Sequence, residues 1–484
     1  MRFKAFLVPL VCLGLFFALF SGGCKKQSLL TAGGVLTFST DTLAFDTVFT
    51  AAGSYTNYFV IYNPQSQDVV LSSVRLEGGA SSYFHLVVNG YSGNNIPNLK
   101  IAAHDSIYVM ATVNINPSDT LTPFLIVDHM IATLNGKDFS VPFTAYGQNA
   151  HYIVSDSITT NTTWQTDKPY VVIHSCVVGQ NVTLNIPPKC RVYMHQDARF
   201  FVFGKLNVGT IGAPAGGDSV IFQGDRLDRA YFGYKGYPGE WGGFLFISGG
   251  NGGTFNNAII KNCGSSTPYW HYGIQSAAIE ADSGASVSIT NSKIQNSIGY
   301  GIYCFEGNLT ISNSLFQSTG AQALAMLKGG NATVNNCTFA NYGSSVLSHS
   351  NNGTLALLNY FIAGVGIPPF MGDLNATFNN CIVYGSLDSE VVCDSISGAA
   401  ANINFNHCLL KMGNTLGTYI HNNRSLYSQS PLFNQDPKFK STSTQDFHLS
   451  EGSPAIGSGD PAFSIGLDLD GKTRTTNDMG CYKY

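Results

Sequence analysis

The chain has 484 residues, 25 Lys and Arg against 29 Asp and Glu, and a formal charge of −4. That balance leaves no basic footprint, which excludes nucleic acid as a partner on electrostatic grounds. Charged residues are only 11% of the chain while hydrophobic residues are 44%, so the chain can bury a large core with a surface of Gly, Asn, Ser and Thr. Such a surface suits stacked strands and tight turns better than helices.

The N-terminus reads as a targeting segment. "MRFK" is a basic start and "AFLVPLVCLGLFFALF", residues 5–20, is an apolar centre that contains Pro9 and is short for a membrane span. "SGGC" follows and resembles the lipobox of bacterial lipoproteins, with Ser21 where Leu is usual. The resemblance implies cleavage after residue 23, lipidation of Cys24, and a short tether over 25–34. The partner implied is a membrane, reached through the lipid anchor, with the protein on the periplasmic or outer face of the outer membrane. The alternative is ordinary signal cleavage with a free Cys24.

Residues 35–150 form the next unit. "VLTFST", "YFVIYN", "VVLSSVRL", "FHLVVNG", "IYVMATVNI" and "FLIVDHMIATLNG" are short strand-like runs separated by turns such as "NPQSQD" and "NGKD". Strands at this spacing predict a β-sandwich. Its end, "FSVPFTAYG", resembles the last strand of Ig-like modules in bacterial envelope proteins, which implies a spacer.

From residue 151 to 430 a six-residue phrase recurs: "ITNSKI", "ISNSLF", "VNNCTF", "LLNYFI", "FNNCIV" and "FNHCLL". With Asn257 in the earlier stretch 255–260, the third places are Asn257, Asn291, Asn313, Asn336, Asn359, Asn380 and His407. A period near 22 with several short strands per turn predicts a parallel β-helix. Asn tolerates left-handed geometry at the turn and would stack as a ladder from coil to coil. At about 4.8 Å per rung, about twelve coils make a rod roughly 55–60 Å long. A β-propeller or a plain sandwich is the competing fold. Cys337, Cys381 and Cys408 share the fourth place, which argues for small buried side chains in a stack rather than disulfides.

The stretches "VTLNIPPKCRVYMHQDARFFVFGKLNVGT", "GDRLDRAYFGYKGYPGEWGGFLF" and "HLSEGSPAIGSG…DLDGKTR…DMGCYKY" carry a wider resemblance. They resemble right-handed parallel β-helix proteins of the pectin-lyase-like superfamily, among them bacterial envelope lipoproteins. The resemblance implies an all-β chain: an Ig-like sandwich, a right-handed β-helix, and a closing segment over 431–484. The usual ending of those proteins is Gly-Ala-Tyr-Glu, from which Cys481 and Lys483 depart. Asp468, Asp470 and Arg474 in "DLDGKTR" are expected to form a buried, hydrogen-bonded cap on the rod, which otherwise ends in an open sheet edge.

Parallel β-helices often host polysaccharide lyases and hydrolases, whose chemistry needs paired carboxylates or acidic Ca²⁺ ligands with a basic residue. The polygalacturonase pattern of Asp-Asp, Gly-His-Gly and Arg-Ile-Lys does not occur here. What remains as a catalytic candidate is Glu280, Glu306 and Lys328, with Asp282 beside the first, read either as an acid–base pair or as a plain surface salt bridge. No cofactor is expected; Ca²⁺ enters only if the protein is a lyase. The interval from Asn257 to Asn291 holds about twelve extra residues beyond the period, including Tyr269, Trp270, His271 and Tyr272 in "STPYWHYG". Such a loop suits sugar stacking, the alternative being that Trp270 folds back onto the rod. "YKGYPGEWGG" adds Tyr234, Tyr237 and Trp241, with Trp241 expected under the turn. His195 shows no partner and reads as structural.

The expected protein is a monomeric envelope lipoprotein that binds a polysaccharide without cleaving it. A lyase or hydrolase with a non-standard site is the second expectation, and a structural or adhesive rod the third.

Overall fold

The computed structural model describes residues 28–50, 52–116, 123–196, 198–227, 230–231, 234–265, 274–413 and 432–484. Among these residues there is no α-helix; the chain is all β. It divides into two compact units, the first ending at Gly147 and the second running from Gln148 to Tyr484.

The first unit is a β-sandwich of two five-stranded sheets. One sheet runs in the order Thr37–Phe38, Asn57–Tyr62, Ser106–Val113, Phe84–Val88 and Tyr91–Ser92; the other in the order Leu43–Phe49, Lys137–Gln148, Phe124–Leu134, Val69–Leu76 and Asn95–Ile101. The hairpin joining Phe124–Leu134 to Lys137–Gln148 turns on Asn135 and Gly136, both at positive φ (48° and 80°). Asn-Gly takes that geometry cheaply, and its twist matches the strands it joins. Alternating residues face inward, and Phe45, Phe59, Phe84 and Phe143 meet there. Phe143 touches Phe84 edge-on at 5.5 Å and Phe59 at 6.0 Å, the arrangement favoured by ring quadrupoles.

The second unit is a parallel β-helix of three sheets. Among the described residues sheet A has nine strands, including Gly253–Asn256, Ser286–Thr290, Asn308–Ser312, Gly330–Asn335, Leu374–Asn379 and Ala401–Asn406. Sheet B includes Arg191–Met194, Ala258–Lys261, Lys293–Ser297, Leu315–Thr319, Thr338–Asn341, Ile382–Gly385 and Leu409–Leu410. Sheet C includes Arg199–Val202, Gly243–Phe246, Ala277–Ala281, Tyr300–Phe305, Leu324–Leu327, Leu355–Leu358 and Val391–Asp394. The long strand Tyr170–Val178 pairs with the first strands of both B and C. Each coil runs A, B, C. Its inward residues form one continuous core, with Phe316 stacked on Phe339 at 4.7 Å and Phe378 on Phe405 at 5.1 Å.

The repeated phrase is the corner from A to B. Asn257, Asn291, Asn313, Asn336, Asn380 and His407 all adopt left-handed backbone there, with φ between 46° and 54°. The residue after each is buried, and the buried hydroxyl or thiol bonds back to the end of sheet A: Ser292 and Ser314 at 2.7 Å, Cys381 at 3.2 Å. Serine and cysteine therefore do one job, and all nine described cysteines are free buried thiols.

Asn359 breaks the expected series. It follows Leu355–Leu358 of sheet C, not a strand of sheet A, and sheet A pairs Asn335 directly with Asn379. The two expected coils between Asn336 and Asn380 are one coil carrying two insertions. Asn359 instead donates 3.0 Å hydrogen bonds to the carbonyls of Ile396 and Ala399.

The corner ladder is also shorter than expected. Asn313 donates to Asn291 at 2.8 Å, but Asn380 donates to the carbonyl of Asp460 and Asn336 reaches that of Asp478. The continuous ladders lie on the outer face of sheet A, one five residues before the corner and one a single residue before it. One runs from Asn308 through Asn331 and Asn375 to Asn402 and another from Asn335 through Asn379 to Asn406, each link 2.7–3.1 Å.

The closing segment explains why the corner asparagines point elsewhere. Its first strand, Leu432–Phe433, adds a rung of sheet B beside Leu409–Leu410; the rest does not cap the rod as expected but lies lengthwise on the outer face of sheet B. Phe447, Leu469, Cys481 and Tyr482 pack on Leu315 and Ala340, while Leu449, Ala455 and Met479 pack on Ile382, Tyr384 and Leu409. The "DLDGKTR" turn is held from within. Asp468 is fully buried and accepts from the amides of Asp470, Lys472 and Lys483, and Arg474 donates to the carbonyls of Asp478 and Gly480. Asp470 is half-buried and bonds His448 and Lys472.

Candidate functional site

Glu306 and Lys328 occupy the corner from C to A on adjacent coils, both at positive φ (55° and 59°). Lys328 Nζ lies 2.5 Å from Glu306 Oε2, and Ser283 donates to the same oxygen at 2.7 Å. The hydrogen bond from Lys328, then that from Ser283, hold the Glu306 carboxyl below its usual range. Both side chains are half-buried. A carboxylate held ionised against an ammonium at a solvated corner has the character of a stacked ion pair, not of a proton donor.

Glu280 is elsewhere. It faces outward on sheet C, in a row that runs Leu245, Glu280, Tyr303, Ala325, Ala356 and Val392 through successive parallel pairings. Glu306 lies three residues beyond Tyr303, about 10 Å along the strand, so the structure joins Glu306 to Lys328 and leaves Glu280 apart. Glu280 is buried, accepts from the Gln275 amide at 2.9 Å, and has the buried Arg199 guanidinium 4.0 Å away. Burial pushes its carboxyl up to about 8. Asp282 is raised for the same reason and repels Glu280 electrostatically. Burial thus favours the protonated form of Glu280, against the pull of the Arg199 guanidinium.

The segments that cross from B to C carry a second set of polar groups. Glu390 is fully buried; its Oε1 accepts from the Leu387 amide at 2.7 Å, and its Oε2 from the Thr354 hydroxyl at 2.7 Å. His349 Nε2 is 2.9 Å from that same oxygen, and His349 Nδ1 is 3.0 Å from Asn341 Nδ2. Because the Asn341 amide nitrogen only donates, Nδ1 is the acceptor and the ring proton sits on Nε2, toward Glu390. Glu240 is a second buried carboxyl bonded to backbone: it accepts from the Tyr237 amide at 2.8 Å, and burial raises it to about 7.

Above His349 opens a cleft of about 900 Å³, lined by Tyr237, Tyr342, His349 and the residues 343–348, three of them serines. Tyr342 is set by Phe447, stacked 6.0 Å away, and by Phe439, edge-on at 6.3 Å. None of the described lining residues carries a carboxylate or an ammonium. The sequence signal for this cleft is the long interval between Asn336 and Asn380, which taking Asn359 for a rung conceals.

Other expected residues fall as follows. Trp241 is fully buried and donates to the Lys261 carbonyl at 3.0 Å. His195 has a partner after all: its Nδ1 lies 2.7 Å from Asp225 Oδ2. Tyr269, Trp270, His271, Tyr272, Cys24 and the side chain of Tyr234 lie outside the described residues. Also among the described residues, no cluster of His, Cys, Asp and Glu could hold a metal ion, and no helix is long and apolar enough to cross a membrane.

A family model described as "Right handed beta helix region" matches residues 241–362 and 273–439, in agreement with the parallel coils and giving their hand. No curated protein matches the chain. Solved structures are similar at low identity, among them the following three. The Salmonella enterica SafA pilin in complex with the SafB chaperone is 13% identical, over 25% of this chain and 58% of that one, with a TM-score of 0.17. The ASH / PapD-like domain of human CEP192 is 12% identical, over 27% of this chain and 94% of that one, TM-score 0.17. The catalytic unit of a thermostable GH87 alpha-1,3-glucanase from Streptomyces thermodiastaticus is 10% identical, over 73% of each chain, TM-score 0.27. At these scores they transfer no activity to this chain.

Proposed function

We propose that this protein is a lipid-anchored envelope protein that binds an uncharged carbohydrate in the cleft at the B-to-C corner, without cleaving it. The observation that carries the reading is the lining of that cleft: two tyrosines and three serines, with no charged group among the described residues. Aromatic faces give sugar rings an apolar platform, and hydroxyls satisfy their edges. The buried His349–Glu390 pair beneath fixes the floor rather than offering a reactive carboxylate, since every oxygen of Glu390 is already bonded.

The test uses residues 28–484 rather than a shorter fragment, because the Leu30 amide bonds the Asp68 carbonyl at 2.8 Å and the Asp68 amide bonds that of Ser28. It is incubated with a panel of neutral and acidic polysaccharides, with and without Ca²⁺, and both retention and chain length are measured. Retention of a neutral glycan without shortening, weakened about tenfold (~1.4 kcal/mol) by Tyr237→Ala, is the expected result. Failure to retain any glycan refutes the reading. The second reading is a hydrolase, favoured by one observation: the carboxyls of Glu280 and Asp282 stand two residues apart at the end of a sheet C strand, and burial raises both. Shortened chains that disappear in Glu280→Gln would establish that reading instead.

A further inference from the structure

The coil between Asn336 and Asn380 carries a β-hairpin, Tyr360–Phe361 against Phe370–Met371, at the corner from C to A. Its root is firmly held. Asn359 bonds the carbonyls of Ile396 and Ala399, the Tyr360 hydroxyl donates to Asp394 at 2.8 Å, and Phe361 meets Phe305 edge-on at 5.2 Å. Its tip is unlike the rest of the surface. Ile362, Ala363, Val365, Ile367, Pro368, Pro369, Phe370 and Met371 are all exposed, Val365 completely, and no residue from Asn359 to Gly372 is charged. Contiguous apolar exposure of this kind marks an interaction site.

We propose that this hairpin is a membrane-docking tip that inserts into the interface of an uncharged phospholipid bilayer. Three observations select that occupant. The tip is a projection of about nine residues, against the roughly 20–30 per side that a stable protein interface takes; a fluid bilayer needs no matching surface. The hairpin ladder is only two residues long on each strand, too short to recruit a strand from a second copy by edge pairing. The stretch that resembles a lipobox ends in Cys24, so on the envelope reading an acyl chain at that residue ties the mature chain to a bilayer. The absence of charge in the tip points to insertion by apolar burial rather than attraction to anionic headgroups. The proposal rests on the envelope reading for its bilayer, not on carbohydrate binding.

The experiment is flotation of residues 28–484, which lack the acyl anchor, with vesicles of phosphatidylcholine and phosphatidylethanolamine. The wild-type chain is expected to float with the vesicles, with little dependence on salt. The triple variant Val365→Ser, Ile367→Ser, Phe370→Ser is expected to lose about tenfold or more of that partitioning. Its side chains are exposed, so an unchanged melting curve and unchanged glycan retention separate loss of docking from loss of fold. Wild-type chain that stays with the aqueous fraction overturns the proposal, as does equal flotation of the variant. Concentration-dependent dimers that the variant abolishes, with no flotation, would assign the tip to a second copy and also overturn it. A result on either side leaves the glycan reading to its own assay.

Discussion

At the scale of single residues, the surroundings of Glu280 make a stability statement. A carboxyl whose folded-state value is raised binds its proton more tightly in the native chain than in the unfolded one. Its contribution is therefore complete below the unfolded value near 4.5 and is lost as pH rises toward about 8. The β-helix is expected to melt at lower temperature at pH 8 than at pH 5. Glu280→Gln, which keeps an acceptor for the Gln275 amide without a titrating proton, is expected to flatten that slope. Each kcal/mol involved is worth roughly 2–4 °C in a domain of this size. Glu240, raised to about 7, leaves a residual slope below neutrality in the variant. Melting curves across pH decide it: an unchanged slope in Glu280→Gln would mean the carboxyl ionises freely. The corner asparagines make the complementary point, since their left-handed backbone costs most other residues about 1–2 kcal/mol, which is why this one type recurs.

At the scale of elements, the phrase that reveals the fold also shows the limit of reading it. An apolar residue two places before Asn and another three places after it describe a strand, a corner and the next strand. Asn291, Asn313, Asn336 and Asn380 meet that description at the corner from A to B, and Asn359 meets it after a strand of sheet C. Only strand pairing tells the corners apart, because Asn335 opposite Asn379 fixes the coil. The ion pair of Glu306 and Lys328 was legible because 22 residues is one coil. The cleft was not, because Tyr237 and Tyr342 are brought together only once the coils are stacked, and Asp225 is joined to His195 by the same stacking. Nor did composition show that the closing segment runs along sheet B, where its apolar residues alternate to match Leu315 and Ile382. That placement has a consequence. Phe447→Ala removes a ring packed on Tyr342, Phe439 and Leu315, and is expected to cost about 3–5 kcal/mol of the segment's attachment. Limited proteolysis should then release the segment from about residue 436 onward while the coils persist, and glycan retention should fall because Tyr342 loses its support. Intact segments under conditions that cleave nothing in the wild type would show that the strip is held by its hydrogen bonds instead.

At the scale of the whole molecule, the decisive fact is that the two units have separate apolar cores with no residue in common. The sandwich core is closed by antiparallel pairings between residues far apart in sequence, as in Val69–Leu76 against Phe124–Leu134. The β-helix core is a column in which each coil rests on its neighbours, so its stability grows by nearest-neighbour contacts. Two such systems in one chain need not melt together, and a single unfolding free energy for the protein is not defined. Calorimetry of residues 28–484 is expected to show two transitions. Phe143→Ala opens a cavity between Phe59 and Phe84 and should lower one of them by an amount consistent with about 3–5 kcal/mol, leaving the pH-dependent transition of the Glu280 unit where it was. The two perturbations are thus diagnostic in opposite directions: pH moves the β-helix transition, and Phe143→Ala moves the other. If both act on one shared transition, the units are energetically fused. The sandwich would then belong to the folding unit that builds the cleft.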